Sequence, residues 1–338
     1  MNNKGVILVA VLWVLLILSL IAWGLGRRSS LEVSLLETYR GKLRSYAAAR
    51  AGMNKILDLM QTSPSSKDTL YATAISIDQT KSPADIFSHI DIAPNAYVTL
   101  QWSAKNFNTP VNKPHLEYGI RDERGRINVN AMSPVNYQIL SALLQLQGLS
   151  QSNADKLALA IINYTGTGTS GNNGSFLNMD HSLLKPKNKP YENLLELLEV
   201  NGMTQEIFNK IKDDLTVYGD TQSGLWINTD TANNDVIQAV ANASARMNPS
   251  INAGDIIREA YTIRDGADAQ SFSSDDGTSS IAAIADPNWP QVLEEGKSDY
   301  YRVRVVGVDE KSGVRTVLEA VIHWTPQAAG EIISWQRV

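Results

Sequence analysis

Apolar and polar positions divide this chain into three stretches. Residues 6–26 form an uncharged run, preceded by Lys4-Gly5 and followed by Arg27-Arg28. About 20 residues at about 1.5 Å rise each span roughly 30 Å, the hydrocarbon thickness of a bilayer. Beyond it, Leu31, Leu35, Tyr39, Leu43, Tyr46, Met53, Leu57 and Met60 recur at helical steps. That is the stripe of an amphipathic helix continuous with the apolar run. The breaker cluster Thr62-Ser63-Pro64-Ser65-Ser66 ends it, so the pattern predicts one helix over 6–61.

Alternating, β-branched runs at 97–102, 116–120 and 126–129 predict strands of an antiparallel sheet, with Glu123-Arg124-Gly125-Arg126 as the turn between the last two. Strands return at 300–306, 314–322 and 332–335, the first two joined by the hairpin loop Asp309-Glu310-Lys311-Ser312-Gly313. Between these groups, residues 133–261 have mainly helical periodicity and contain two internal echoes. Ile127-Asn128-Val129-Asn130-Ala131 is matched by Ile227-Asn228-Thr229-Asp230-Thr231-Ala232, and each precedes a helix. Local physics reads both as helix initiation, with Ser133-Pro134 and Thr231 as caps. Leu146-Gln147-Gly148-Leu149-Ser150 is echoed by Val200-Asn201-Gly202-Met203-Thr204. In each, a helix ends at Gly, an apolar residue plugs the core and Ser or Thr opens the next helix.

These units resemble helix-hairpin-helix motifs. DNA-binding versions carry a second Gly and nearby basic side chains. Here Ser150 and Thr204 hold that position and Glu196, Glu199 and Glu206 lie close, which disfavours nucleic acid. Charge agrees. Residues 1–61 carry eight Lys/Arg (Lys4, Arg27, Arg28, Arg40, Lys42, Arg44, Arg50, Lys55) against three acids (Glu32, Glu37, Asp58), a net +5 that leaves −10 for the rest of a chain of net −5. Phosphate backbones need clustered Lys/Arg. With 43% apolar and 19% charged residues the body is an ordinary globular one.

The chain has no cysteine, which excludes disulfides, thiolate zinc sites and Cys nucleophiles. Its four histidines (His89, His115, His181, His323) show neither metal-ligand nor triad spacing. There is no Gly-rich phosphate loop or nucleophile elbow, so no enzyme is expected. Two loops offer oxygens to a hard cation such as calcium: 165–180, and the acids Asp265, Asp268, Asp275 and Asp276. Neither has EF-hand spacing, and solvated loop acids are the commoner explanation.

The start of the chain reads in three ways: a cleaved signal peptide, a plain anchor, or a pilin-type leader. Signal cleavage near Ala22-Trp23-Gly24 suits neither the long apolar core nor the helix that continues past it. Gly5-Val6 resembles the processing site of type IV pilin-like proteins, whose pattern places a Glu five residues into the mature chain; here that position is Ala10.

Taken together, the segments resemble the K-type minor pseudopilins of bacterial type II secretion systems. The matching pieces are Gly5-Val6, the run from Asp122 to Asn130, Leu194-Leu195-Glu196-Leu197 leading to Gly202-Met203-Thr204, the run from Ile227 to Ala232, and Ser298-Asp299-Tyr300-Tyr301-Arg302-Val303. The resemblance implies an α+β fold: a long N-terminal hydrophobic helix and an antiparallel-sheet, pilin-like scaffold, with a large all-α insertion of helix-hairpin-helix, SAM-like units. It implies a leader over 1–5, a transmembrane/amphipathic helix over 6–61, a scaffold from 62–132 and 262–338, and an insertion over 133–261. Gly5 and Val6 become the processing site, and Ala10, Trp13 and Trp23 belong to the membrane and filament helix. Expected partners are the I- and J-type minor pseudopilins, with the H type, the major pseudopilin and prepilin peptidase beside them. The expected place is the inner membrane, single-pass, with the globular part in the periplasm. Some relatives bind calcium after the first helical pair, where this chain has the carboxylate-free run 165–174. The runner-up reading is a permanently anchored periplasmic helix-hairpin-helix binding module.

Overall fold

In the computed structural model, the described residues are 3–62, 83–103, 116–166, 187–221, 224–266, 269, 290–294, 299–325 and 328–338. A single helix, α1 (Asn3–Thr62), opens the chain. It is followed by the short α2 (Pro83–Phe87) and by strands β1 (Ile90–Ala93), β2 (Ala96–Ser103), β3 (Leu116–Tyr118) and β4 (Arg121–Asp122). The chain then makes a mainly helical excursion and returns as β9 (Tyr300–Asp309), β10 (Arg315–Thr325) and β11 (Ala328–Arg337). These strands form one antiparallel sheet in the order β1-β2-β9-β10-β11, with β3 on β2 and β4 on β9. The exit and re-entry strands are therefore neighbours, Arg121 opposite Arg302 and Asp122 opposite Tyr301.

One sheet face is mainly apolar because its strands alternate. Val98, Leu100, Val303, Val305, Leu318, Ala320 and Ile322 are fully buried there, against Ala48, Ala49, Met53, Ile56 and Met60 of α1. The β9–β10 hairpin closes at Gly313, which takes φ 67°, while Asp309 accepts hydrogen bonds from the Ser312 amide (3.1 Å) and hydroxyl (2.6 Å).

The excursion has its own apolar cluster, whose members run from Ile127 to Leu293. Its helices are α3 (Tyr137–Leu146), α4 (Gln151–Tyr164), α5 (Gln205–Ile211), α6 (Asn234–Met247) and α7 (Ala253–Asp265). Helices α3 and α6 pack with their apolar faces together. Gln147 reaches Asp235 at one end of the pair, and Arg246 reaches Ser141 and Asp155 towards the other, so the two helices run antiparallel.

The glycine echo takes the expected form. Gly148 and Gly202 have φ of 97° and 91°, Leu149 and Met203 pack on the cluster, and Ser150 and Thr204 are the N-caps of α4 and α5. The Asn-rich echo differs. Residues 126–129 do not join the antiparallel sheet, and the residues before them form a short 3₁₀ turn, Glu123–Gly125, capped by the Asp122 carboxylate. Ile127–Asn128 (β5) instead pairs in parallel with Leu215–Thr216 (β6), and Ile227–Asn228 (β7) with Leu293–Glu294 (β8). Each Asn then turns the chain with its own side chain, accepting from the amide two residues on, Asn130 or Asp230. The caps also differ. Asn233, not Thr231, caps α6 through the Val236 amide, and Asn136 precedes α3. Thr231 is needed elsewhere, donating to the buried Asp122 carboxylate at 2.9 Å.

Candidate functional site: a half-docked helix and a charged junction

Three consecutive portions of α1 meet different surroundings. Leu8–Leu25 is long and apolar enough to cross a membrane, and none of it is buried. Ala10 is exposed, as are Trp13 and Trp23 at 63% and 71%. Gly5 and Val6 lie in the helix backbone. The amphipathic stripe continues through Leu31, Leu35, Tyr39 and Leu43, yet all four are more than half exposed. This part of the stripe is left uncovered because the sheet reaches α1 only from Gly41 onward.

What decides the contact is a second, smaller stripe: Gly41, Ser45, Ala48, Ala49 and Gly52, all buried. Small side chains let the helix backbone lie close on the sheet. The closest approach is at Gly307 of β9, where an added Cβ would overlap the Ser45 carbonyl oxygen and the Ala49 nitrogen. A Cβ on Gly52 would come within 2.8 Å of Val98. Ser45 and Thr316 share a buried hydroxyl–hydroxyl hydrogen bond of 2.7 Å. The sequence signal was present, as a Gly inside the β-branched run of β9 marks a close backbone approach.

The junction between sheet and excursion is built on residues 121–130. Glu123, fully buried, accepts from Arg302 of β9 at 2.6 and 3.2 Å and from the Thr216 hydroxyl of β6. Arg302 also bonds Glu319 of β10 at 2.8 Å, and Arg126 faces Glu123 at 3.5 Å. Burial opposes the charge on Glu123, but the Arg302 and Arg126 guanidiniums outweigh it and hold the carboxyl down at about 2. The same carboxylates hold Arg302 above its ordinary range, against the effect of burial. Asp122 accepts from Asn228 and Thr231 at 2.9 Å each. Asn128 donates to the Tyr218 carbonyl, and Asn130 donates to those of Tyr191 and Val217. A Cβ on Gly125 would overlap the Thr231 backbone. One short segment thus clamps the sheet and both parallel bridges of the excursion. The segment stands out in the sequence as a motif, but the clamp does not, because its partners lie 61–179 residues away.

Of the candidate cation ligands, Asp265 is buried and bound to Arg264 at 2.6 and 2.8 Å. Arg264 also donates to the Ala232 carbonyl and to Asn234, so this carboxylate anchors the end of α7 to the start of α6. Asp268, Asp275 and Asp276 lie outside the described residues, as does nearly all of the 165–180 loop. Among the described residues no group of three His, Cys, Asp or Glu side chains is close enough to hold a metal ion. His89 stacks on Tyr97 and His323 on Tyr300; His115 and His181 lie outside the described residues. Near the hairpin units, Glu206 pairs with Lys210 and Glu196 with Lys187.

Residues 125–220 match the family model of the type II secretion system (T2SS), protein K. A chain of the crystal structure of the GspK-GspI-GspJ complex from the type 2 secretion system of enterotoxigenic Escherichia coli shares the fold, with a TM-score of 0.51 and 16% sequence identity. The likeness covers 91% of this chain and 99% of that one. No curated protein matches the sequence. The K-type resemblance read from the sequence is borne out by the family match, and the α+β pilin-like fold by the solved chain.

Proposed function

We propose that this chain works as the K-type minor pseudopilin of a type II secretion system, a non-enzymatic subunit at the tip of the pseudopilus that helps start assembly and export. The family match over 125–220 supports the class. The structural observation that carries the reading is α1: it is 60 residues long, yet its own sheet covers it only from Gly41. The uncovered part has a membrane-length apolar segment and then an apolar stripe on an otherwise polar helix, suited first to a bilayer and then to neighbouring helices. The proposed partners are the I- and J-type minor pseudopilins, with the H type and the major pseudopilin below them. The body would stand in the periplasm on a single inner-membrane span. The proposed division is a scaffold from 62–132 and 262–338 with an inserted helical domain over 133–261, supported by two separate apolar clusters and the pairing of β4 with β9.

Ala10 supports a place at the tip. In filament pilins the Glu of this position meets the terminal amine of the subunit ahead. A first subunit has nobody ahead, and an unpaired acid at bilayer depth costs about 2.5–3.5 kcal/mol. A bulky helical excursion is likewise easier to accommodate at the end of a close-packed array than inside it. Cleavage after Gly5 by prepilin peptidase would leave Val6 as the mature, methylated N-terminus. N-terminal sequencing of the protein from a host with the peptidase tests this. The expected first residue is Val6. A start near Leu25 would mean signal-peptidase cleavage, and an intact Met1 would favour the permanently anchored module.

A further inference from the structure

A cavity of about 50 Å³ opens beside the junction, lined in part by Arg124, Arg126, Asn128, Tyr218, Asp220 and Trp226. By this measure it has room for a few water-sized groups. The side chain of Arg126 is 6% exposed, and its ion pair among the described residues is the loose 3.5 Å contact to Glu123. Glu123 is already committed to Arg302 and Thr216. No hydrogen bond from a described residue closes on the Arg126 guanidinium, which has five donors in a planar fork. Burial, and then the guanidiniums of Arg302 and Arg121, push Arg126 below its ordinary range despite Glu123 and Asp213. At the mouth, the Arg124 guanidinium stacks 4.6 Å above the Trp226 ring, and Trp226 is 39% exposed.

A buried cation is stable only with a counter-charge and filled donors. The arginine fork matches a carboxylate in shape as well as charge. We propose that this cavity is an anion site for a small carboxylate, with Arg126 as its floor and the Arg124–Trp226 pair as its wall. Glu123 and Asp220 line the same space, so the site favours a monoanion over a dianion. Its occupant is either a free small carboxylate or the end of an acidic side chain from a neighbouring chain. The site stands independently of the secretion reading, since its lining residues lie apart from Gly5 and from the uncovered part of α1.

The test is saturation-transfer NMR on the full-length protein in detergent micelles, with acetate and an N-acetyl glutamate amide as observed probes and hydrogen phosphate, which has no carbon-bound proton, as a competitor at constant ionic strength. The expected result is saturable transfer to acetate or to the glutamate side chain, displaced by hydrogen phosphate only at a more than tenfold higher concentration. Arg126→Lys keeps the charge and loses the fork; it should weaken carboxylate binding at least tenfold at an unchanged unfolding midpoint. Arg124→Ala, on the rim, should weaken it without loss of fold. Acetate binding indicates a free ligand, while binding of the glutamate amide alone indicates a partner side chain. Absence of saturable transfer to both carboxylates overturns the proposal, as does binding that Arg126→Lys and Arg124→Ala leave unchanged.

Discussion

Glu123 is where sheet and excursion meet: its two carboxylate oxygens serve Arg302 on β9, Thr216 on β6 and, more loosely, Arg126. Its folded pKa, about 2, lies below the ordinary value of 4.5, so the folded protein keeps this charge where the unfolded chain begins to take up protons. The resulting stabilisation is complete above about pH 4.5 and is lost as pH falls towards 2, roughly 3 kcal/mol in all. Urea unfolding across that window should therefore fall more steeply for the native protein than for Glu123→Gln. At pH 7 the same substitution should lower stability by about 3–5 kcal/mol, since it takes the paired carboxylate from the buried Arg126 and leaves Arg302 with Glu319 alone. Asn228 lies in a run whose sequence reads as helix initiation; instead its side-chain oxygen turns the chain and its amide donates to Asp122, 106 residues earlier. Local propensity explains the oxygen of that side chain, and only the fold explains the nitrogen.

Two stripes run along α1 and have different destinations. The large apolar stripe was evident in the sequence from its period, but period alone does not say which neighbour covers it. The small stripe of Gly41, Ser45, Ala48, Ala49 and Gly52 carries the intramolecular contact, and it is quieter because small residues suit many environments. Gly307→Ala tests that contact. The methyl group has no room beside Ser45 and Ala49, so α1 must shift, at a cost of about 1–3 kcal/mol or more measured by thermal or denaturant unfolding. The large stripe should behave in the opposite way. Leu35→Ser with Leu43→Ser alters side chains already exposed, so the unfolding free energy should stay within about 0.5 kcal/mol of native. The same pair should weaken recovery of partner pseudopilins, and a double variant recovered with undiminished partners would assign the stripe no role. Strands and hairpin were legible from alternation and turn chemistry. The two-residue parallel bridges were not, because Ile127–Asn128 and Ile227–Asn228 are too short to show a period.

At the scale of the molecule, the sheet is formed from two distant parts of the chain, and the excursion leaves and returns on adjacent strands. Sequence patterning showed this as two strand groups flanking a helical region. The clamp joining the two bodies was hidden, since charged residues such as Arg302 and Glu123 read locally as surface positions. With both bodies held by residues 121–130, the excursion should move with the sheet as a unit, and among the described residues α1 carries most of the large exposed apolar side chains. We propose that I- and J-type pseudopilins complete this surface. Affinity isolation of the full-length chain from detergent-solubilised membranes in which both are co-expressed tests this. A stable complex containing all three is expected, lost when Leu35 and Leu43 are both replaced by Ser. Recovery of this chain alone, with I and J absent under conditions where they are expressed and folded, would contradict it.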